Sequence, residues 1–310
     1  MKAHFSKLVF LCLFKTVKYL PSLSLATCLI SITMSYSALA DDKIRIRDSH
    51  GKWAFDAPPE RIAVINWTLT EQLIELDIKP IAIADKAGFK TNSPQTKFST
   101  EQDKAIDLGS RFTPDLNKLK QLKPELIFIG YSQRDLMRPL SNIAPVMYFN
   151  NFSRRNNNAE KADERFLILA KLFNKTDFAE KKLIERDVQI NSLKEKLSVG
   201  LKEQQLYTIA SLKQDEIWAY SNNSLPEAVL IKLGLNHELS DKPSKLGTRK
   251  LKNKEISQLQ GCMIFINNSD AQRNSAKQHS CHYEAAKTNT FGGAMSQLYL
   301  AQSITASLLQ

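Results

Sequence analysis

Trp67, Phe89, Arg111, Tyr131 and Phe291 lie near the expected ends of strands and in loops, and their types suit the grip on an oxygen-rich ligand. Aromatic rings supply flat contact area, and a guanidinium supplies hydrogen-bond donors in a fixed fork. Taken singly, an aromatic residue is more often core packing than a binding group. Arg111 resists that explanation. It sits in a loop between Asp107-Leu108-Gly109-Ser110 and Thr113-Pro114, where a surface ion pair is the only bland alternative. Catalytic patterns are missing: the chain has no Walker A loop, no G-x-G-x-x-G after a strand, no H-E-x-x-H and no G-x-S-x-G. The cluster His279-Ser280-Cys281-His282 offers soft metal ligands, but adjacent side chains do not readily converge on one ion, and the chain holds 5 histidines in all. The residues speak for holding a ligand rather than transforming one.

The elements that must position these residues follow from pattern. Residues 43–55 alternate on both sides of Ser49-His50-Gly51, which predicts a β-hairpin. Ala57-Pro58-Pro59 stops it, and Arg61-Ile62-Ala63-Val64-Ile65 reads as a strand buried on both faces. Thr68 can cap a helix running to about Leu76, with Glu71 completing a capping box. Short strands at 81–84, 125–130 and 145–149 alternate with a helix at 116–122, which predicts a parallel sheet covered on both faces. Residues 159–199 contain no Gly or Pro and read as helix throughout, with one break at Asn174-Lys175-Thr176. The segment after that break makes a helix roughly 35 Å long. After Gly200 strands at 205–212, 216–220 and 263–266 alternate with helices at 224–233, 253–259 and 294–309. The fold class is α/β, with a signal segment at 1–40, an N-terminal lobe at 41–158, a helical connector at 159–199 and a C-terminal lobe at 200–310. A crossover helix inside one larger domain is the alternative for the connector. Two lobes of this kind leave a cleft between them for a ligand.

The N-terminus bears on compartment. Residues 1–40 carry Lys2, Lys7, Lys15 and Lys18 with no acid, then an apolar run from Leu20, then Ala38-Leu39-Ala40 before Asp41. That is the pattern of a cleaved secretory signal, with a retained membrane anchor or a lipoprotein at Cys28 as alternatives. Removing it lowers the net charge from +11 to +7 and leaves two cysteines, Cys262 and Cys281. A charge of that size in a chain this long requires no nucleic-acid partner. In an oxidising compartment the two cysteines can form a disulfide; two buried thiols are the other possibility.

Several stretches together carry a family likeness. They are Arg47-Asp48-Ser49-His50-Gly51 with Ala57-Pro58-Pro59-Glu60-Arg61-Ile62, then Leu73 to Pro80, Asp107 to Arg111 with Pro114-Asp115-Leu116, and Leu122-Lys123-Pro124-Glu125. In the second half they are Asn223-Ser224-Leu225 and Leu233-Gly234-Leu235. In their order and spacing the chain resembles the periplasmic substrate-binding proteins of ABC importers for iron–siderophore complexes and vitamin B12, and is most similar to the ferric-hydroxamate-binding branch. The resemblance implies two Rossmann-like lobes joined by one long rigid helix, the class III arrangement. It also implies a monomeric, non-enzymatic periplasmic protein that takes a ferric siderophore into the cleft without an intrinsic cofactor and delivers it to an inner-membrane ABC permease with its ATPase.

By the same resemblance Arg111 falls where that branch has an arginine facing the iron-chelating oxygens. Trp67 and Phe291 fall on aromatic cleft positions, and Tyr131 lies near one. Leu246 stands where the branch has a tryptophan, with Gly247 and Thr248 matching beyond it. Asp115 and Glu255 are the acids expected to meet permease arginines, one on each lobe. The loss of an aromatic at Leu246 keeps other large chelates in view, among them citrate-based siderophores, cobalamin and haem. Lys86, Lys90 and Arg249 would favour a carboxylate-bearing ligand. From a different class, a secreted metal-ion binder using His279 and His282, or a secreted hydrolase, remains as an alternative.

Overall fold

The computed structural model of the chain describes residues 43–150, 152–201, 205–213, 216–239, 243–266 and 281–310. The expected signal segment and His279 lie outside them. Among the described residues no helix is long and apolar enough to cross a membrane.

The chain opens with a hairpin, β1 (Ile44–Arg47) and β2 (Lys52–Phe55), paired antiparallel. Asp48 ties it down: its carboxylate accepts from the backbone of His50 and Gly51 within the turn and from Tyr148 a hundred residues on. The first sheet follows, from β3 (Ile62–Val64), β4 (Ala82–Ile83), β5 (Ile106–Asp107), β6 (Leu126–Gly130) and β7 (Val146–Phe149). Its order is β5-β4-β3-β6-β7 and every pairing is parallel. Every residue of β3, β6 and β7 is buried, as strands covered by helices on both faces must be. The covering helices are α1 (Trp67–Glu75), α2 (Lys86–Asn92), α3 (Leu116–Gln121) and α4 (Met137–Ser141).

The start of α1 corrects the sequence expectation. Asn66, not Thr68, is the N-cap, its side chain accepting from the Leu69 amide at 3.2 Å. Thr68 lies inside the first turn, and Glu71 turns inward to a partner more than two hundred residues away.

Two helices join the sheets, α5 (Asn158–Leu172) and α6 (Thr176–Gly200). The break between them falls where the sequence placed it, because Asn174 adopts a left-handed φ of 54° that asparagine tolerates. At 25 residues, α6 is the long connecting rod.

The second sheet contains β8 (Leu206–Lys213), β9 (Glu216–Tyr220), β10 (Asn236–His237), β11 (Thr248–Lys250), β12 (Cys262–Ile266) and β13 (His282–Ala285), with α7 (Leu225–Lys232), α8 (Asn253–Ile256) and α9 (Ser296–Leu308). The path runs β11-β9-β8-β12-β13, with β10 also on β8. Unlike the first, this sheet is mixed: β8 and β9 pair antiparallel, as do β9 and β11. The reason is length. Only two residues separate β8 from β9, and a parallel return needs a crossover of a dozen or more. Cys262 and Cys281 form a disulfide beside the starts of β12 and β13. The architecture is therefore two α/β lobes bridged by a long helix.

Where α1, α5, α6 and α9 meet, the lobes are fastened by a buried polar seam. Glu71 accepts from the Gly293 amide at 3.1 Å, the Ser296 amide at 3.0 Å, the Ser296 hydroxyl and the Asn289 amide group. Burial pushes its carboxyl up to about 7 despite those donors. Arg186, 1% exposed, pairs with both oxygens of Asp163, both of Asp187 and the Ala294 carbonyl.

Candidate ligand-binding cleft

In a parallel sheet the ends of the strands at which the chain runs out into loops are where side chains converge on a ligand. In the first sheet Asn66 follows β3, Asp85 follows β4, Arg111 comes four residues after β5, Tyr131 follows β6 and Phe152 lies just past β7. The facing wall comes from Tyr220 at the end of β9, Ser224 at the cap of α7, Leu246 before β11, and Thr290 and Phe291 after β13. Asn66, Tyr131 and Phe152 from the first wall and these five from the second, together with Thr68, Gly130, Asn158 and Arg165, enclose a cleft of about 550 Å³, counted with the space at its open mouth; Asp85 and Arg111 stand outside it.

The two walls touch. Phe152 sits edge-on to Tyr131 at 5.8 Å and to Phe291 at 5.9 Å, so three rings bridge the cleft. The Thr68 hydroxyl donates to the Phe291 carbonyl at 2.7 Å, and the Lys245 ammonium lies 5.0 Å above the Tyr131 ring. Gly130 is required at its place, since a Cβ there would meet the Asn66 amide group at 2.4 Å, and that group is held by Gln133.

Beside this enclosed space, Trp67 and Arg111 form a platform of their own. The Arg111 guanidinium lies 3.6 Å over the Trp67 ring, and Asp85 approaches it only to 4.0 Å. Trp67 is fixed in turn by its indole N–H, which donates to the Asp85 carbonyl at 3.1 Å. Partial burial draws the Arg111 pKa down while Asp85 opposes it.

The expected residues do not all arrive at the cleft. Tyr131, Leu246 and Phe291 line it, the last two 44% and 40% exposed. Trp67 and Arg111 do not line it: Trp67 precedes the lining residue Thr68, and Arg111 reaches the same neighbourhood only through its stack on Trp67. Phe89 is a correction: it is fully buried, packed edge-on beneath Trp67 at 6.4 Å and against Phe98 at 5.7 Å, so it supports the platform and offers no surface. Thr248 lies outside the lining as well; on β11 it pairs with Tyr220, and its carbonyl accepts from Ser244, holding the turn that presents Leu246.

The lysines and arginine thought to favour a carboxylate are already engaged. Lys86 donates to the carbonyls of Asp103 and Ala105, Lys90 pairs with the Asp103 carboxylate at 2.5 Å, and Arg249 pairs with Glu255 at 2.9 Å. Asp115 caps α3 through the Lys118 amide, and Glu255 also accepts from the Lys252 amide. Among the described residues no three ligating side chains gather as for a metal ion, and Cys281 of the histidine-flanked cluster is in the disulfide.

Asn158 and Arg165 went unnoticed in the sequence. They are seven residues apart on α5, and with Ala162 and Leu169 they form one face of that helix. Two polar residues at that spacing on an otherwise apolar face were the available signal.

Known proteins share this arrangement. The chain is 25% identical over 225 residues to a putative ABC transporter substrate-binding lipoprotein, YhfQ, of Bacillus subtilis, covering 70% of this chain and 66% of that protein. It is 23% identical over 231 residues to the Fe(3+)-citrate-binding protein YfmC of the same organism, covering 73% and 69%. The matched stretch thus spans about two thirds of these relatives' length. Among solved structures, the siderophore-binding protein FhuD of Vibrio cholerae with Fe3+–Desferal superposes with a TM-score of 0.74 at 29% identity, over 81% of this chain and 98% of that one. The sequence profile of the periplasmic binding proteins matches residues 62–280, and on that match the chain belongs to the periplasmic binding protein family.

Proposed function

We propose that the protein is the periplasmic substrate-binding component of an ABC importer, that it captures a ferric siderophore of the hydroxamate type between its lobes, and that it hands this cargo to a membrane permease. The observation that carries the reading is the Trp67–Arg111 platform. Among the described residues Arg111 makes no hydrogen bond, and its single ion pair is long, so its donors are left for a ligand while Trp67 holds the guanidinium flat. A siderophore wraps its iron, and the protein then needs donors for chelating oxygens and apolar rings for the rest, with no metal ligand of its own. The likeness to a FhuD holding Fe3+–Desferal supports the hydroxamate type. Binding, rather than catalysis, is the role, and no resident cofactor is invoked. The reading includes export through cleavage after Ala40, function as a monomer, and docking through Asp115 on the first lobe and Glu255 on the second.

The test is fluorescence titration of residues 41–310 with ferric trihydroxamates, a citrate-hydroxamate, a catecholate and cobalamin. A Trp67→Phe control isolates the cleft reporter from Trp53 and Trp218. Saturable quenching by a hydroxamate at micromolar or lower concentration is expected. Silence from all of them in a folded protein would overturn the reading. Docking is tested apart from binding: Asp115→Ala with Glu255→Ala should abolish uptake in cells while the purified protein still binds, and unimpaired uptake would remove both acids from that role.

A further inference from the structure

Arg165 lies at the floor of the cleft with 5% of its surface exposed. A buried guanidinium ordinarily meets a carboxylate, because the transfer of an unpaired charge out of water is costly. Arg165 meets none. Its Nε donates to the Gln72 side-chain oxygen at 2.9 Å, and its Nη2 reaches the Gly292 carbonyl at the long distance of 3.5 Å. Both acceptors are neutral. Among the described residues no carboxylate oxygen comes within 4.0 Å, and Nη1 has no hydrogen-bond partner. Glu71 and Asp163 are near enough to favour the charge, but their oxygens are taken up by Ser296, Asn289, Arg186 and Gln297. Burial draws the Arg165 pKa to about 10, which leaves it protonated at neutral pH.

A second orphan adjoins it. The Asn158 side-chain oxygen, one helical face along on α5, is buried in the cleft wall with no partner at all. The floor thus offers an uncompensated positive charge and a bare acceptor. Arg165 and Phe149 also border a depression behind the cleft, but there Lys161 already has Glu164, and Asp48 is occupied by the hairpin turn. Of the other cations, Lys86, Lys90 and Arg249 are ion-paired, while Lys245 and Arg111 lie over the rings of Tyr131 and Trp67 and are exposed or half-buried, so Arg165 is the fully buried one left for an anion.

We propose that Arg165 is an anion receptor at the cleft floor and that the transported ferric chelate carries a free carboxylate, which binds the guanidinium while a hydroxyl or amide of the same ligand donates to Asn158. The inference rests on the siderophore reading and narrows it to chelates that are anionic at one end. Arg111 faces the iron-binding oxygens, and Arg165 reads the pendant group.

The experiment uses ferric linear trihydroxamates of one iron-binding core whose terminal amine carries a succinyl group, with the free acid compared against its neutral succinamide. Affinities are measured by calorimetry on residues 41–310. Expected is a preference of ten-fold or more for the acid, which Arg165→Gln reduces to within two-fold by weakening the acid more than the succinamide. Equal affinities for acid and amide in the wild type would overturn the proposal and leave the siderophore reading standing. Equal losses for both ligands in Arg165→Gln would reduce Arg165 to a strut through Gln72 and Gly292, and also overturn it. Should Arg165→Gln fail to fold, the wild-type comparison of acid with amide decides alone. If neither compound binds, nor any other chelate, the siderophore reading falls and takes this one with it.

Discussion

Two buried arginines lie within the same interlobe region and live in opposite circumstances. At the seam, Arg186 has two carboxylates and a carbonyl, and every donor it has points at an oxygen. At the cleft floor, Arg165 has one amide oxygen and a distant carbonyl. Removing water from a charge is tolerable when the protein supplies the whole of its solvation, and Arg186 is such a case. Where the protein supplies only part, the remainder is left to a ligand. The contrast separates what fastens the lobes from what reads the cargo.

That separation can be broken at either end. The largest effect belongs to the seam: among the described residues Arg186→Met leaves Asp163 with only Gln297 and Asp187 with only Lys232, and chemical denaturation should record a loss of about 3 kcal/mol. Titration with any siderophore that the folded fraction binds should give an unchanged affinity, and a selective loss of affinity would erase the distinction. Next comes Glu71. Its folded pKa is raised from 4.5 to about 7, so the folded state holds the proton more readily than the unfolded chain. The stability linked to it is fully present below about pH 4.5 and is lost as pH rises through 7, by about 3 kcal/mol at most. Glu71→Gln should flatten thermal-denaturation midpoints over that range. Glu227, raised to about 7 by burial, shares the direction, so a flat profile needs Glu227→Gln as well.

On the cleft side the effects are on binding. Arg111→Ala should weaken the ferric siderophore ten-fold or more, about 1.4 kcal/mol or above, with the denaturation midpoint unmoved. An unchanged dissociation constant would remove Arg111 from the site. The smallest effect is a gain: Leu246→Trp, on a side chain 44% exposed at the cleft, should tighten a trihydroxamate two- to five-fold by calorimetry. A loss there would mean that the cleft needs the space.

The sequence disclosed what depends on neighbours along the chain. Continuous apolar runs announced β3, β6 and β7, Asn174 announced the break before α6, and the loop after β5 singled out Arg111. It concealed what depends on distant partners. Glu71 reads as half of a local capping box, whereas its oxygens go to residues 289–296, and no local pattern encodes that reach. Phe89 has the type of a cleft residue, but its position on α2 turns it under Trp67. Arg165 sits in a run of charged and apolar residues that describes any surface helix, and only the approach of Gln72 on α1 and of Gly292 ahead of α9 shows that it is buried. The mixed second sheet, by contrast, could have been read from the two residues between β8 and β9.

The long rod α6 has a consequence for signalling. Twenty-five helical residues make a strut about 37 Å long with no joint in it. A clamshell on a flexible hinge announces its contents by its outline; two lobes held on a strut, and riveted at Glu71 and Arg186, can change outline very little. Small-angle scattering should therefore give the same radius of gyration loaded and empty, and a contraction on loading would contradict this. A transporter meeting such a carrier has almost no change of silhouette to read. The message that the carrier is full must be written at the open mouth itself, in the exposed part of the cargo and the few side chains that frame it.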